Sequence, residues 1–193
     1  MLDGVQPEED VMARVPYVSR DELDSDGQTI YDRIREDRGV DEVGLQFRAL
    51  LHSPLAAGYL TSLGASLRFQ SSMPDDLKEL AIILVAREWD SGIEWTGHSV
   101  AAARAGVSDE AIEGIRTGKA PGCLEGTQAA IARFVQQMTR EKDVSDENFK
   151  AVHDVLGDRG VVDLTMTVSY YTALALAQIA LRPEMGGGRV STL

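Results

Sequence analysis

At 193 residues and 44% hydrophobic, the chain can bury one sizeable core and is too short for two comfortable ones. Its formal net charge of −12 argues against nucleic acid or an anionic membrane as partner, because the phosphates would be repelled; a whole-chain figure leaves room for a local basic pocket. A single cysteine, Cys123, allows no internal disulfide and no cysteine metal cage, and with neither a charged-then-apolar leader nor an apolar run near ~20 residues, the expectation is a cytoplasmic protein.

Residues 1–18 are acidic, hold Pro7 and Pro16, and read as an N-terminal arm or a strap over a neighbour. Ser19-Arg-Asp-Glu22 has the spacing of a capping box, but Asp24-Ser-Asp-Gly27 interrupts it, so the durable helix is expected from about Asp26. It carries Ile30 and Ile34 inward and ends at Asp37-Arg-Gly39. Leu45 to Leu51 is apolar without a period and too short to type. Ser53-Pro54 supplies an N-cap and a first-turn proline for a helix through Tyr59, Leu63 and Leu67 to about Gln70.

Pro74-Asp-Asp opens the next helix with proline in the first turn and acids at the positive end of the dipole. Its buried stripe is Leu77, Leu80, Ala81, Leu84 and Val85, with Glu79 just beside it. A second central helix follows and stops at Gly106; Ser108-Asp-Glu then caps a short helix through Ile112 and Ile115. After a loop from Gly118 to Gly126, Thr127 to about Lys142 places Ile131, Phe134, Val135 and Met138 on one side. Ser145-Asp-Glu caps a helix ending at Gly157, and a last helix runs from about Arg159 to Leu181 before Arg182-Pro183 halts it. Residues 184–193 form a glycine-rich tail, expected to be flexible.

Helix follows helix through short capped turns, so one all-α domain is expected. The β-branched run Val161 to Val168 favours a strand by propensity, but its length and the lack of a second candidate strand favour helix. The last helix is apolar on most sides, which points to a central place or burial between subunits.

The chemistry-bearing residues concentrate in Glu79 to Gly106. Ser91, Glu94 and His98 recur at i, i+3 and i+7 and project from one helix face. If Glu79 on the preceding helix faces them, a carboxylate–imidazole cluster results, walled by Ile83, Ile93 and Trp95, that can pass a proton. Plainer roles stand beside this one. His98 can be a packed histidine bonded to Glu94, Ser91 an N-cap, Trp95 and Trp89 core or interface packing, and Glu79 a partner of Arg87. Only one of Tyr170 and Tyr171 can face a pocket, since adjacent helical residues diverge. His52 and His153 lack acidic partners at helical spacing and read as surface residues. Glu79, Glu94 and His98 also offer three metal ligands, with no second histidine to support them.

The stretch Glu79-Leu-Ala-Ile-Ile-Leu-Val-Ala-Arg87, then Glu94-Trp95, His98 and Ala105-Gly-Val-Ser108, resembles the carboxymuconolactone decarboxylase family, which includes the alkylhydroperoxidase D-like proteins. The resemblance extends through Val144-Ser-Asp146 and Gly157 to Tyr170-Tyr171. In the peroxidase branch a glutamate lies nineteen residues before a histidine, with a CxxC pair seven and four before it. Glu79 and His98 keep that spacing, but the cysteine positions hold Ser91 and Glu94. Dithiol peroxidase chemistry needs a thiolate and a resolving cysteine, which this chain lacks.

The resemblance therefore implies the cysteine-free branch. Its named activity is decarboxylation of a small carboxylated lactone with neither metal nor organic cofactor. It further implies His98 as acid/base, Glu79 and Glu94 as its tuning carboxylates, and a homotrimer or homohexamer. Arg87, Ser91, Trp95 and Tyr170 are the expected substrate contacts. Two rivals use the same residues: a tailoring enzyme of this fold that transfers a proton or cyclises another metabolite, and a non-catalytic small-molecule binder.

Overall fold

The computed structural model describes residues 13–188 and 190–193; most of the expected N-terminal arm, residues 1–12, lies outside the described residues. Those described are helical, with no strand among them. A 3-10 turn (Arg20–Glu22) precedes α1 (Ser25–Arg38), α2 (Leu45–Leu50), α3 (Pro54–Phe69), α4 (Asp75–Glu88), α5 (Gly92–Ala105), α6 (Asp109–Arg116), α7 (Gly126–Gln136) and α8 (Asp146–Leu181); a π-helical turn (Gln137–Glu141) follows α7.

Local chemistry explains the boundaries. The capping box at Ser19 forms, but only as the 3-10 turn, and Asp24 then caps α1 by accepting from the Gly27 amide. Ser91, Ser108 and Ser145 cap α5, α6 and α8 in the same way, each accepting from the amide three residues on. Pro74 sits at the N-cap of α4, one position earlier than expected, with Asp75 and Asp76 in the first turn. Gly39 and Gly106 close α1 and α5 in the left-handed conformation.

Every α4 side chain from Leu80 to Ala86 is buried, because α5, α7 and α8 pack around it. α3 and α1 form the other layer, α3 resting on α8. There Gly64 admits the Tyr170 ring: a Cβ would stand 3.0 Å from Tyr170 Cε1 and closer still to its hydroxyl end. α8 breaks at Gly157 (φ 65°, ψ −179°), as expected from the sequence, so residues 146–156 and 158–181 are separate helical segments. By length and hydropathy α8 is apolar enough for a membrane span; here it packs against α3, α4 and α7.

Residues near both ends of the described stretch are tied to each other. The Arg14 amide donates to the Leu181 carbonyl at 2.9 Å, and Tyr17 Oη accepts from the Glu184 amide at 2.8 Å. Ser191 lies against Gly92 at the start of α5, and Leu193 packs on the core.

Candidate active site

α4 and α5 run side by side, and the nineteen-residue interval brings Glu79 and His98 together across them. His98 Nδ1 lies 2.7 Å from Glu79 Oε2, and its Nε2 is 3.2 Å from Tyr171 Oη and 3.7 Å from Glu94 Oε2. Side-chain exposure is 12% for His98 and Glu79 and 7% for Glu94, so water screens these contacts poorly. The Tyr171 ring meets the imidazole edge-on, with centroids 5.1 Å apart.

Burial first, then the Glu94 charge and the neighbouring Tyr170, push the Tyr171 phenol well above its ordinary pKa. Tyr171 therefore keeps its proton. Against a neutral imidazole it donates to Nε2, which places the ring proton on Nδ1, facing Glu79. The result is a carboxylate–imidazole–phenol chain. A proton accepted at Nε2 turns the ring into an imidazolium held between Glu79 and Glu94.

Glu94 has its own support. Its Oε1 accepts from Gln178 Nε2 at 2.8 Å, and the same nitrogen donates to Gln46 Oε1 at 2.7 Å. Ser91 Oγ donates to Gln178 Oε1 at 2.5 Å while accepting from the Glu94 amide, so the N-cap also orients the glutamine. Gln178 thereby links α2, α5 and α8 around one carboxylate.

The structure brings together His98, Glu79, Glu94 and Ser91 among the expected site residues, and separates three others. Arg87 lies at the far end of α4, where Nε donates to the Arg116 carbonyl and Nη1 pairs with Asp90. Eight residues along a helix amount to about 12 Å and a turn of about 80°, so it cannot share Glu79's surroundings. Trp95 is 1% exposed and packed in the core, with no open face for a substrate. Tyr170 turns toward α3, its hydroxyl 3.4 Å from Arg38 Nη2; burial raises its pKa and Arg38 partly offsets this.

Gln178 and Gln46 were not among the expected residues, and of the two tyrosines left open it is Tyr171 that faces His98. Tyr171, Leu174 and Gln178 fall at i, i+3 and i+7, so a glutamine and a tyrosine on one face of an apolar helix were the available signal. His153 is not solitary either: it meets Asp158 at 2.7 Å across the Gly157 break and stacks on Phe149. The three-ligand metal arrangement does not form among the described residues. Glu79 and Glu94 address opposite nitrogens of the same ring and cannot converge with it on one ion.

No family model matches the chain, and no curated protein matches it. Among solved structures it is similar to the debrominase Bmp8. A cysteine-to-alanine variant in complex with 2,3,4-tribromopyrrole aligns with TM-score 0.69 and 12% identity, over 92% of this chain and 94% of that one. The apo form gives 0.68 and 10%, over 89% and 91%. At such identities the likeness establishes architecture alone: the chain has the all-α, alkylhydroperoxidase D-like fold.

Proposed function

We propose that the chain is an acid/base enzyme of this fold that moves a proton at a carbon of a small substrate, with Glu79, His98 and Tyr171 as the relay and Glu94 as a second carboxylate. The observation that carries the reading is the engagement of both His98 nitrogens, Nδ1 by Glu79 and Nε2 by Tyr171, in a nearly closed site. A positioned acid/base of this kind contributes roughly 10²–10⁴ in rate.

The preferred reaction is lysis of the carboxymuconolactone decarboxylase type. The carbon–carboxylate bond breaks, its electron pair stays on the lactone as a dienolate, CO2 leaves, and the relay protonates the carbon. Solvent then restores the proton to the relay. The test is an assay of CO2 release from carboxymuconolactone by the purified protein; no release above the uncatalysed rate sinks this reaction.

One observation favours the tailoring alternative. Glu79 and Glu94 flank one imidazole, so the cluster carries net negative charge even when His98 is protonated, and Arg87 is elsewhere. A neutral lactone or ring undergoing proton transfer or cyclisation enters such a site at lower electrostatic cost than a polycarboxylate. Enzyme-catalysed deuterium uptake from D2O into a neutral lactone, without CO2 release, is the result that selects it.

We further propose a homotrimer or homohexamer. Its support is the apolar surface of α8, where Val162, Met166, Leu176 and Ile179 are exposed. Light scattering that finds a monomer at micromolar concentration overturns this.

A further inference from the structure

Beyond the relay, the C-terminal end of α4 borders a cleft of about 370 Å³ with a different chemistry. Arg87 and Glu88 from α4, Gly118 after α6, and Gln136 and Arg140 from α7 and its π-helical turn line it, over an apolar floor that includes Leu84 and Ile115. In a chain of net charge −12, it is a place where two guanidinium groups share one concavity.

Each guanidinium is pinned on one side. Arg87 spends Nε on the Arg116 carbonyl and Nη1 on Asp90. Arg140 spends Nε and Nη2 on the two oxygens of Glu88, whose side chain is only 8% exposed. Neither Arg87 Nη2 nor Arg140 Nη1 donates to any described residue. Pinning fixes the planes of both groups, so the open edges are presented with little entropy left to lose. With Asp90 and Glu88 counted, the two guanidiniums are charge-balanced, so what the cleft offers an anion is their two open N–H edges.

We infer that this cleft is a second ligand site, separate from the relay, that takes the oxyanion of a small metabolite, either a carboxylate or a phosphate, between Arg87 Nη2 and Arg140 Nη1. Guanidinium forks bind both groups through paired N–H donors. The apolar floor accommodates the body of an organic anion, and the volume lies in the range of small-molecule sites.

Glu88 supplies a test that a purely structural ion pair does not pass. In the full chain, Glu88→Gln removes the charge that competes for Arg140 while keeping an acceptor beside it. Anion affinity should rise about tenfold, whereas Arg140→Gln should lower it about tenfold. The probes are inorganic phosphate, followed by 31P line broadening, and benzoate, followed by 1H saturation transfer, each titrated to 50 mM with circular dichroism as a check on folding. Saturable binding of phosphate alone assigns a phosphate ligand, and of benzoate alone a carboxylate ligand. Binding of both, with both variants shifting as stated, supports the oxyanion site generally. No saturable binding of either probe, or binding that both variants leave unchanged, overturns the inference. His98→Gln, on α5 beside Glu79, should not change these affinities, so the outcome is independent of whether the relay is catalytic.

Discussion

Glu79 and Arg87 sit about 12 Å apart along α4, and their surroundings differ in charge and in access to water. At the Glu79 end, two carboxylates and an imidazole are enclosed by α5 and α8, and the surplus is negative. At the Arg87 end, two arginines border an open cleft, each balanced by one carboxylate, Asp90 or Glu88. Burial makes the first pair of ions strongly interdependent; solvent weakens each contact at the second. One helix thus borders a closed carboxylate–imidazole cluster and an open arginine-lined cleft, and a whole-chain charge of −12 conceals both.

The largest expected effect lies at the closed end. His98→Gln should keep the fold and lower turnover roughly 10²–10⁴-fold. Glu79→Gln should cost a similar factor, and the double variant far less than the product, because the pair works as a unit. Steady-state kinetics on the three proteins checks this; multiplicative losses would break the relay in two.

Next comes the tyrosine pair. Tyr171→Phe removes the hydroxyl on Nε2 and should lower turnover about tenfold or more, with a changed pH–rate profile. Tyr170→Phe should leave the profile in place, because its hydroxyl addresses Arg38. Equal profiles for both variants would mean that the 3.2 Å contact has no part in the chemistry.

Gly64→Ala probes what holds that tyrosine pair. The new methyl would overlap the Tyr170 ring, and overpacking of this sort costs about 1–3 kcal/mol. Urea denaturation measures it, and an unchanged midpoint would show that α3 can yield.

The smallest effect concerns how the closed end is anchored to α8. Asp163 accepts from the Ser72 amide and hydroxyl, both at 2.8 Å, just before α4 begins. Burial alone would raise its pKa, but the Ser72 and Ser71 bonds and the nearby Arg159 outweigh it, and the net shift is downward. A carboxylate depressed on folding contributes stability that is full above its unfolded pKa, about 3.9, and is lost as pH falls through the folded value. Asp163→Asn should therefore lower the melting temperature at neutral pH and flatten its fall below about pH 4. A variant whose melting curve tracks the parent at every pH would remove this anchor.

Helix order was legible because caps are local chemistry: Ser91, Ser108 and Ser145 each needed only an amide three residues on. Glu79 and His98 were legible too, since their spacing spans two helices and the tight turn between them. What the sequence did not disclose depends on packing from distant elements. Gly64, a hundred residues or so away, makes room for Tyr170 and leaves Tyr171 to face His98. Arg87 is long enough to reach several neighbours, and the α6 carbonyl at Arg116 decided which. Gln178 reads as one polar residue in an apolar helix until α2 and α5 supply its partners.

The interruption of α8 at Gly157 has a consequence for molecular size. An unbroken helix of 36 residues would run about 54 Å. A compact chain of 193 residues has a radius of gyration near 16 Å, which corresponds to a sphere roughly 42 Å across. A straight α8 would overhang such a body by two turns or so. The combination φ 65°, ψ −179° is open essentially to glycine alone. One residue without a side chain thus turns what would be a projecting rod into two segments short enough to lie within the particle's own diameter.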